Sequence, residues 1–158
     1  MARAQPIPDL DCGDAFATAA AKVVATRAAE LFELRSGVLD VDDVERLHDM
    51  RVATRRLRAV LEIFAPCFPR RLHRTVLRDV KRLADALGAR RDPDVQIGAL
   101  TGYVTAAPPS DHAGVEVLIA RLRREQGAAN AALSQALAEA DRSDLRGRLH
   151  ALVQEARR

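Results

Sequence analysis

The sequence is poor in aromatic residues: it has no Trp, one Tyr and four Phe among 158 residues. Its apolar residues are mainly Ala, Leu and Val, a composition that favours helices over strands. No segment alternates apolar and polar residues as a half-buried strand does. Few aromatic side chains also means few platforms for stacking nucleic-acid bases. The composition therefore predicts an all-α protein.

Cysteines and long apolar runs are also scarce. Cys12 and Cys67 stand far apart without CxxC spacing, which indicates neither a disulfide framework nor a zinc site. Metal-ligand spacing is also missing among the four histidines, His48, His73, His112 and His150. The first residues contain no apolar signal-peptide region, and no run of about 18 apolar residues occurs. We therefore expect a cytoplasmic protein with no membrane span, metal or cofactor.

Hydrophobic spacing predicts one domain over residues 1–158, a bundle of about five or six helices, with residues 1–10 flexible. The first helix covers about residues 14–35, and the second covers about residues 44–64 with Asp42 at its capping position. A third helix over about residues 70–87 ends at Gly88, and a weaker fourth opens at Asp92-Pro93. A fifth covers about residues 111–140, and Ser143 caps a short last helix.

Charge is distributed unevenly along the chain. The net charge is only +3, yet the segment from Arg46 to Arg91 contains 13 Lys or Arg and 4 Asp or Glu. A local surplus of this kind creates a positive potential that attracts anions. The middle third of the chain is therefore the candidate anion-binding region.

The second helix carries a row of cationic side chains. At 100° per residue, His48, Arg51, Arg55 and Arg58 occupy an arc about 80° wide, beside the apolar seam from Leu47 to Phe64. Like charges four residues apart repel, and an anion that bridges them relieves the repulsion. Arg is the side chain best shaped to bind two phosphate oxygens. Only Glu62 on this face is placed to neutralise the row.

Two other interpretations apply to the same residues. The row is also consistent with an ordinary solvated helix face, and His48 with a structural histidine. His48-Asp49 resembles the dyad of HD-type metal phosphohydrolases, but that site needs an upstream histidine and His48 is the first in the chain. No GxxxxGK[ST] loop is present, and Cys67 has no identifiable base. We therefore predict no catalytic residues.

Two segments resemble a known family. Residues 47–58, LHDMRVATRRLR, closely resemble the signature helix of the CHAD family, the conserved-histidine α-helical domain. Residues 83–95, LADALGARRDPDV, are similar to that family's LxxxLGxxRDxDV element. CHAD domains are helical and bind inorganic polyphosphate through a basic channel. The resemblance therefore implies a phosphate-chain receptor and not an enzyme.

The matching motif positions imply a set of binding residues. The signature helix contributes His48, Arg51, Arg55, Arg56 and Arg58, and the second basic segment adds Arg74, Arg78, Lys81, Arg82 and Arg91. Arg56 points away from the main arc, so that it either binds at an edge or pairs structurally. Asp92 is interpreted as a helix cap.

Family members usually contain two helical bundles related by pseudo-symmetry, and the resemblance here covers one of them. We therefore expect a homodimer that restores the two-fold channel. The predicted ligand is inorganic polyphosphate, with association with polyphosphate granules in the cytoplasm. The alternatives are a generic polyanion-binding or nucleic-acid-binding helical module and, less favoured, a metal-dependent phosphohydrolase.

Overall fold

The computed structural model describes residues 3–156, which form five α-helices joined by short turns. The helices are α1 (Phe16–Glu33), α2 (Val44–Ile63), α3 (Arg70–Val104), α4 (Pro109–Arg142) and α5 (Leu145–Glu155), with a 3₁₀ turn at Ala65–Cys67. No strand occurs within these residues. The predicted all-α helical bundle is confirmed.

The hydrophobic core lies where α1, α2, α5 and the first half of α3 meet the last turns of α4. Its large side chains include Val24, Leu31, Leu47, Leu57, Leu61, Val76, Leu87, Leu133, Leu149 and Leu152. Each recurs at helical spacing on its own helix, and each contributes about 1.5–3 kcal/mol by leaving water. The apolar seam predicted for α2 is buried from Leu47 to Leu61, so this helix is fixed with one edge toward solvent.

The segment before α1 lies along that helix. Gln5 donates from Nε2 to Glu33 at 3.0 Å, and Lys22 donates to a carboxylate oxygen of Asp14 at 2.7 Å. Residues 1 and 2, part of the stretch expected to be flexible, lie outside the described residues. The flexibility of residues 1–10 and the single-domain organisation stay predictions.

The third helix differs from its sequence-based prediction. α3 continues unbroken from Arg70 to Val104, through Gly88 and with Pro93 inside it, so the predicted stop and the separate fourth helix are wrong. A proline in a helix interior costs roughly 3 kcal/mol, because a backbone hydrogen bond is lost. Here α4 packs along α3, Pro93 is buried, and Arg90 bonds Asp94 across the proline. Tertiary contacts therefore outweigh the local stop signals.

Two helix caps lie one residue beyond the predicted positions. Asp43, and not Asp42, caps α2 by accepting a hydrogen bond from the Arg46 backbone N–H at 2.9 Å. Asp144, and not Ser143, caps α5 by accepting from the Gly147 N–H at 3.0 Å, with its backbone in the left-handed region at φ 48°. Adjacent residues with equal capping chemistry are distinguished only by the path of the chain into the helix.

Helices α3 and α4 form a long hairpin that extends away from the core. Val95, Tyr103 and Val117 are more than half exposed on it. No helix within residues 3–156 is long and apolar enough to cross a membrane.

Candidate functional site

The cationic row of α2 lies at the edge of the buried seam. Arg55 is exposed, and His48, Arg51 and Arg58 are half-buried at the margin of the core. Among residues 3–156, no side-chain hydrogen bond or ion pair involves His48, Arg51 or Arg55. The structure therefore places these side chains together on one helix face, where neither Arg51 nor Arg55 is paired with an acid of the described residues.

Glu62 connects this row to the next helix. Its Oε1 accepts a hydrogen bond from Arg58 Nε at 3.2 Å and lies 2.9 Å from Lys81 Nζ on α3. The pKa of Glu62 is lowered, first by the hydrogen bond from Lys81 and then by the one from Arg58. Glu62 is the acid that the sequence identified on this face. Its contacts bring a predicted site residue of α2 beside one of α3.

A groove runs over the first turns of α3, next to Lys81. It has a volume of about 810 Å³ and is lined by Arg70, Arg71, Arg74, Thr75 and Arg78. Arg74 and Arg78 belong to the predicted site, whereas Arg70 and Arg71 do not. The sequence feature that could have identified Arg70 and Arg71 as site residues is the Arg-Arg pair at the start of α3.

Arg78 and Arg82 both pair with Asp79, an acid on their own helix. Arg78 Nε lies 3.1 Å and Arg82 Nη1 3.9 Å from Oδ1 of Asp79, whose Oδ2 accepts from Arg148 of α5 at 2.7 Å. Partial burial acts to raise the pKa of Asp79, but hydrogen bonds from Arg148 and then Arg78 outweigh it and lower the pKa. Asp79 thus holds α5 against α3 and reduces the charge that Arg78 and, at a longer distance, Arg82 present.

Arg56 lies on the other side of α2 from the row. It lines a cleft of about 260 Å³ together with Arg3, Gln5, Glu30, Glu33, Leu34, Asp49 and Ala53. The spacing of Arg56 left two roles for it, binding at an edge of the site or structural pairing. The carboxylates of α1 in this cleft favour structural pairing. Arg91 is half-buried and lies ten residues, about 15 Å along the helix, beyond Lys81. The structure does not bring these two arginines into the row.

The sequence motif in α3 contains a structural network that the residue spacing did not identify. Arg90 is fully buried, bonds the Asp94 carboxylate, and donates from Nε to Asn130 Oδ1 of α4 at 3.1 Å. Gln126 of α4 donates to Asp94 Oδ1 at 2.6 Å, and Asn130 donates to the Leu39 carbonyl at 3.0 Å. The network ties α3 to α4 and to the loop before α2. Asp92, predicted to cap a helix, is exposed inside α3 instead.

The remaining titratable candidates have structural surroundings. The buried ring of His73 bonds the Leu61 carbonyl through Nε2 at 2.8 Å, so it links α3 to α2. Burial raises the pKa of the half-buried Cys67 thiol. In the part of the chain that the structure describes, no three His, Cys, Asp or Glu side chains are grouped so as to hold a metal ion.

Comparison with known proteins gives one positive result. A family model described as CHAD domain matches residues 22–158, from within α1 to the end of the sequence. The match includes both motif segments and every residue of the predicted site. No curated protein and no solved structure matches the chain.

Proposed function

The chain belongs to the CHAD domain family, and from that premise we propose that it binds inorganic polyphosphate without catalysing a reaction. The contact of Glu62 with both Arg58 and Lys81 carries the proposal, because it joins the cations of two helices. We define the basic surface as the side chains of His48, Arg51, Arg55, Arg58, Arg74, Arg78, Lys81 and Arg82. Arg56 and Arg91, outside this surface, stay predictions.

The chemistry of the basic surface suits a chain of phosphates. Arginine presents a planar fork of N–H donors that matches two phosphate oxygens, and such charge-assisted bonds are about twice as strong as neutral ones. Arg51 and Arg55 repel each other across one helical turn, and a bridging anion removes that repulsion. Binding should therefore weaken steeply as salt rises, because each bound cation releases counterions from the ligand.

Competition binding tests the choice of ligand. We expect labelled long-chain polyphosphate to be displaced by unlabelled polyphosphate, and far less by duplex DNA, RNA, pyrophosphate or ATP, at about 150 mM salt, where exposed charges are screened. The length of the polyphosphate, measured on a gel, should be unchanged after incubation with the protein. Equal displacement by DNA would instead identify the protein as a generic polyanion binder. Shortening of the polyphosphate would contradict non-catalytic binding.

We also propose that two copies act together. The basic surface is one wall, and a phosphate chain has charge on every side, so a second copy can bind its opposite face around a two-fold axis. Light scattering should give the mass of a dimer at micromolar concentration when polyphosphate is present. A monomeric mass both with and without the ligand would rule out the dimer. The predicted location, the cytoplasm and its polyphosphate granules, follows from the proposed ligand and stays a prediction.

A further inference from the structure

The groove over the start of α3 has an unbalanced charge. Four of its five lining residues are arginines, and no acid lines it. The first turn of α3 also contains no acidic residue. Among residues 3–156, no ion pair or hydrogen bond engages the side chains of Arg70, Arg71 or Arg74. Holding these guanidinium groups together costs free energy through repulsion, and a bound anion recovers it.

The groove is continuous with the cationic row of α2. Arg78, at one end of the groove, lies one helical turn before Lys81, and Lys81 meets Arg58 through the shared Glu62 carboxylate. The path along α3 from Arg70 to Lys81 is about 17 Å long, since each helical residue rises about 1.5 Å. A linear ligand therefore meets cations without a gap from the α2 row to the first turn of α3.

We propose that the groove extends the basic surface, and that one polyphosphate chain runs from the α2 row past Glu62 and over Arg78, Arg74, Arg71 and Arg70. The inference rests on the proposed function and adds Arg70 and Arg71 to the site. Two acids pair with cations on this path: Asp79 with Arg78, and Glu62 with Arg58 and Lys81. The Glu62 side chain is 42% exposed, so its ion pairs are weak and phosphate oxygens can replace it at Arg58 and Lys81.

A triple variant with a matched control tests the groove. Arg70→Gln, Arg71→Gln and Arg74→Gln together remove three charges from the groove, and Arg121→Gln, Arg123→Gln and Arg124→Gln remove three from the exposed face of α4. We expect the groove variant to bind long-chain polyphosphate about tenfold or more weakly at low salt, and its slope of log affinity against log salt to fall by about two. The α4 variant should lose about threefold at most and keep its slope, because its arginines only contribute to the distant potential.

A measurement on the unaltered protein removes any dependence on how the variants fold. Thr75 lines the groove, and Thr105 lies at the far end of the hairpin. On titration with polyphosphate, the NMR signal of the Thr75 methyl should shift while that of Thr105 stays in place.

The outcomes separate this inference from the proposed function. If polyphosphate binds but the two triple variants behave alike and the Thr75 signal does not move, the extension of the basic surface into the groove is wrong and the proposed function stands. If the unaltered protein does not bind polyphosphate in the competition experiment, the proposed function fails first, and this inference fails with it.

Discussion

Replacing Arg51 and Arg55 together by alanine is expected to weaken polyphosphate binding by about 30- to 100-fold while leaving the helix content unchanged. Each arginine contributes one charge-assisted contact, and a loss of about 1 to 1.4 kcal/mol for each, after screening by solvent, gives that factor. Both side chains lie outside the core and have no ion pair or side-chain hydrogen bond among residues 3–156, so their removal breaks no polar contact of the fold. Isothermal titration and circular dichroism measure the two effects.

Stability supplies a second readout for the same variant. Because Arg51 and Arg55 repel each other by a few tenths of a kcal/mol, their replacement by alanine should leave the melting temperature unchanged or raise it slightly. Arg123→Ala with Arg124→Ala on α4 is the control for net charge, and it should retain most of the affinity. An unaltered affinity in the Arg51/Arg55 variant would remove the α2 row from the site.

Arg90→Met is expected to destabilise the protein by about 3 to 5 kcal/mol, because it leaves a buried carboxylate without its cation. Arg90 is fully buried and Asp94 is 7% exposed. The same substitution at Arg121, which pairs with Glu125 at the same helical spacing but is exposed, should cost less than about 0.5 kcal/mol. Urea unfolding of the two variants measures the difference.

The double variant Arg90→Met, Asp94→Leu separates the ion pair from packing. Removing both charges leaves no isolated ion, so most of the lost stability should return. If the double variant is as unstable as Arg90→Met alone, the shape of the arginine side chain is the main contribution at this position. Equal costs for Arg90→Met and Arg121→Met would show that the buried network does not stabilise the hairpin.

The arrangement of the cationic row on α2 could be predicted from sequence, because helical periodicity alone places residues on a face. The spacing of Arg51, Arg55 and Arg58 beside the Leu47-to-Phe64 seam defined the row. The same spacing separated Arg56 from it, and the structure places Arg56 in a cleft with acids of α1. The identity of these acids depends on how α1 packs on α2. A local sequence pattern carries no information on that packing.

The course of α3 could not be predicted from local signals. Gly88 and Asp92-Pro93 have the composition of a helix end followed by a helix start. The interactions that keep α3 continuous involve Gln126 and Asn130 of α4, which lie more than 30 residues from their partners in α3. Local sequence patterns therefore cannot predict their effect. The shifted caps have a related cause, because Asp42 and Asp43 are chemically equivalent until the incoming chain direction is known.

The continuity of α3 determines which partner adapts when a complex forms. A break at Gly88 would have provided a hinge, and two half-helices could then have closed around a ligand. The unbroken helix instead keeps the segment from Arg70 to Lys81 rigidly in line with the second half of α3, which the network across Pro93 ties to α4. A preorganised surface loses little conformational entropy on association. The entropy lost on the proposed binding should therefore come mainly from the flexible phosphate chain and the exposed arginine side chains, and little of it from the backbone of α3.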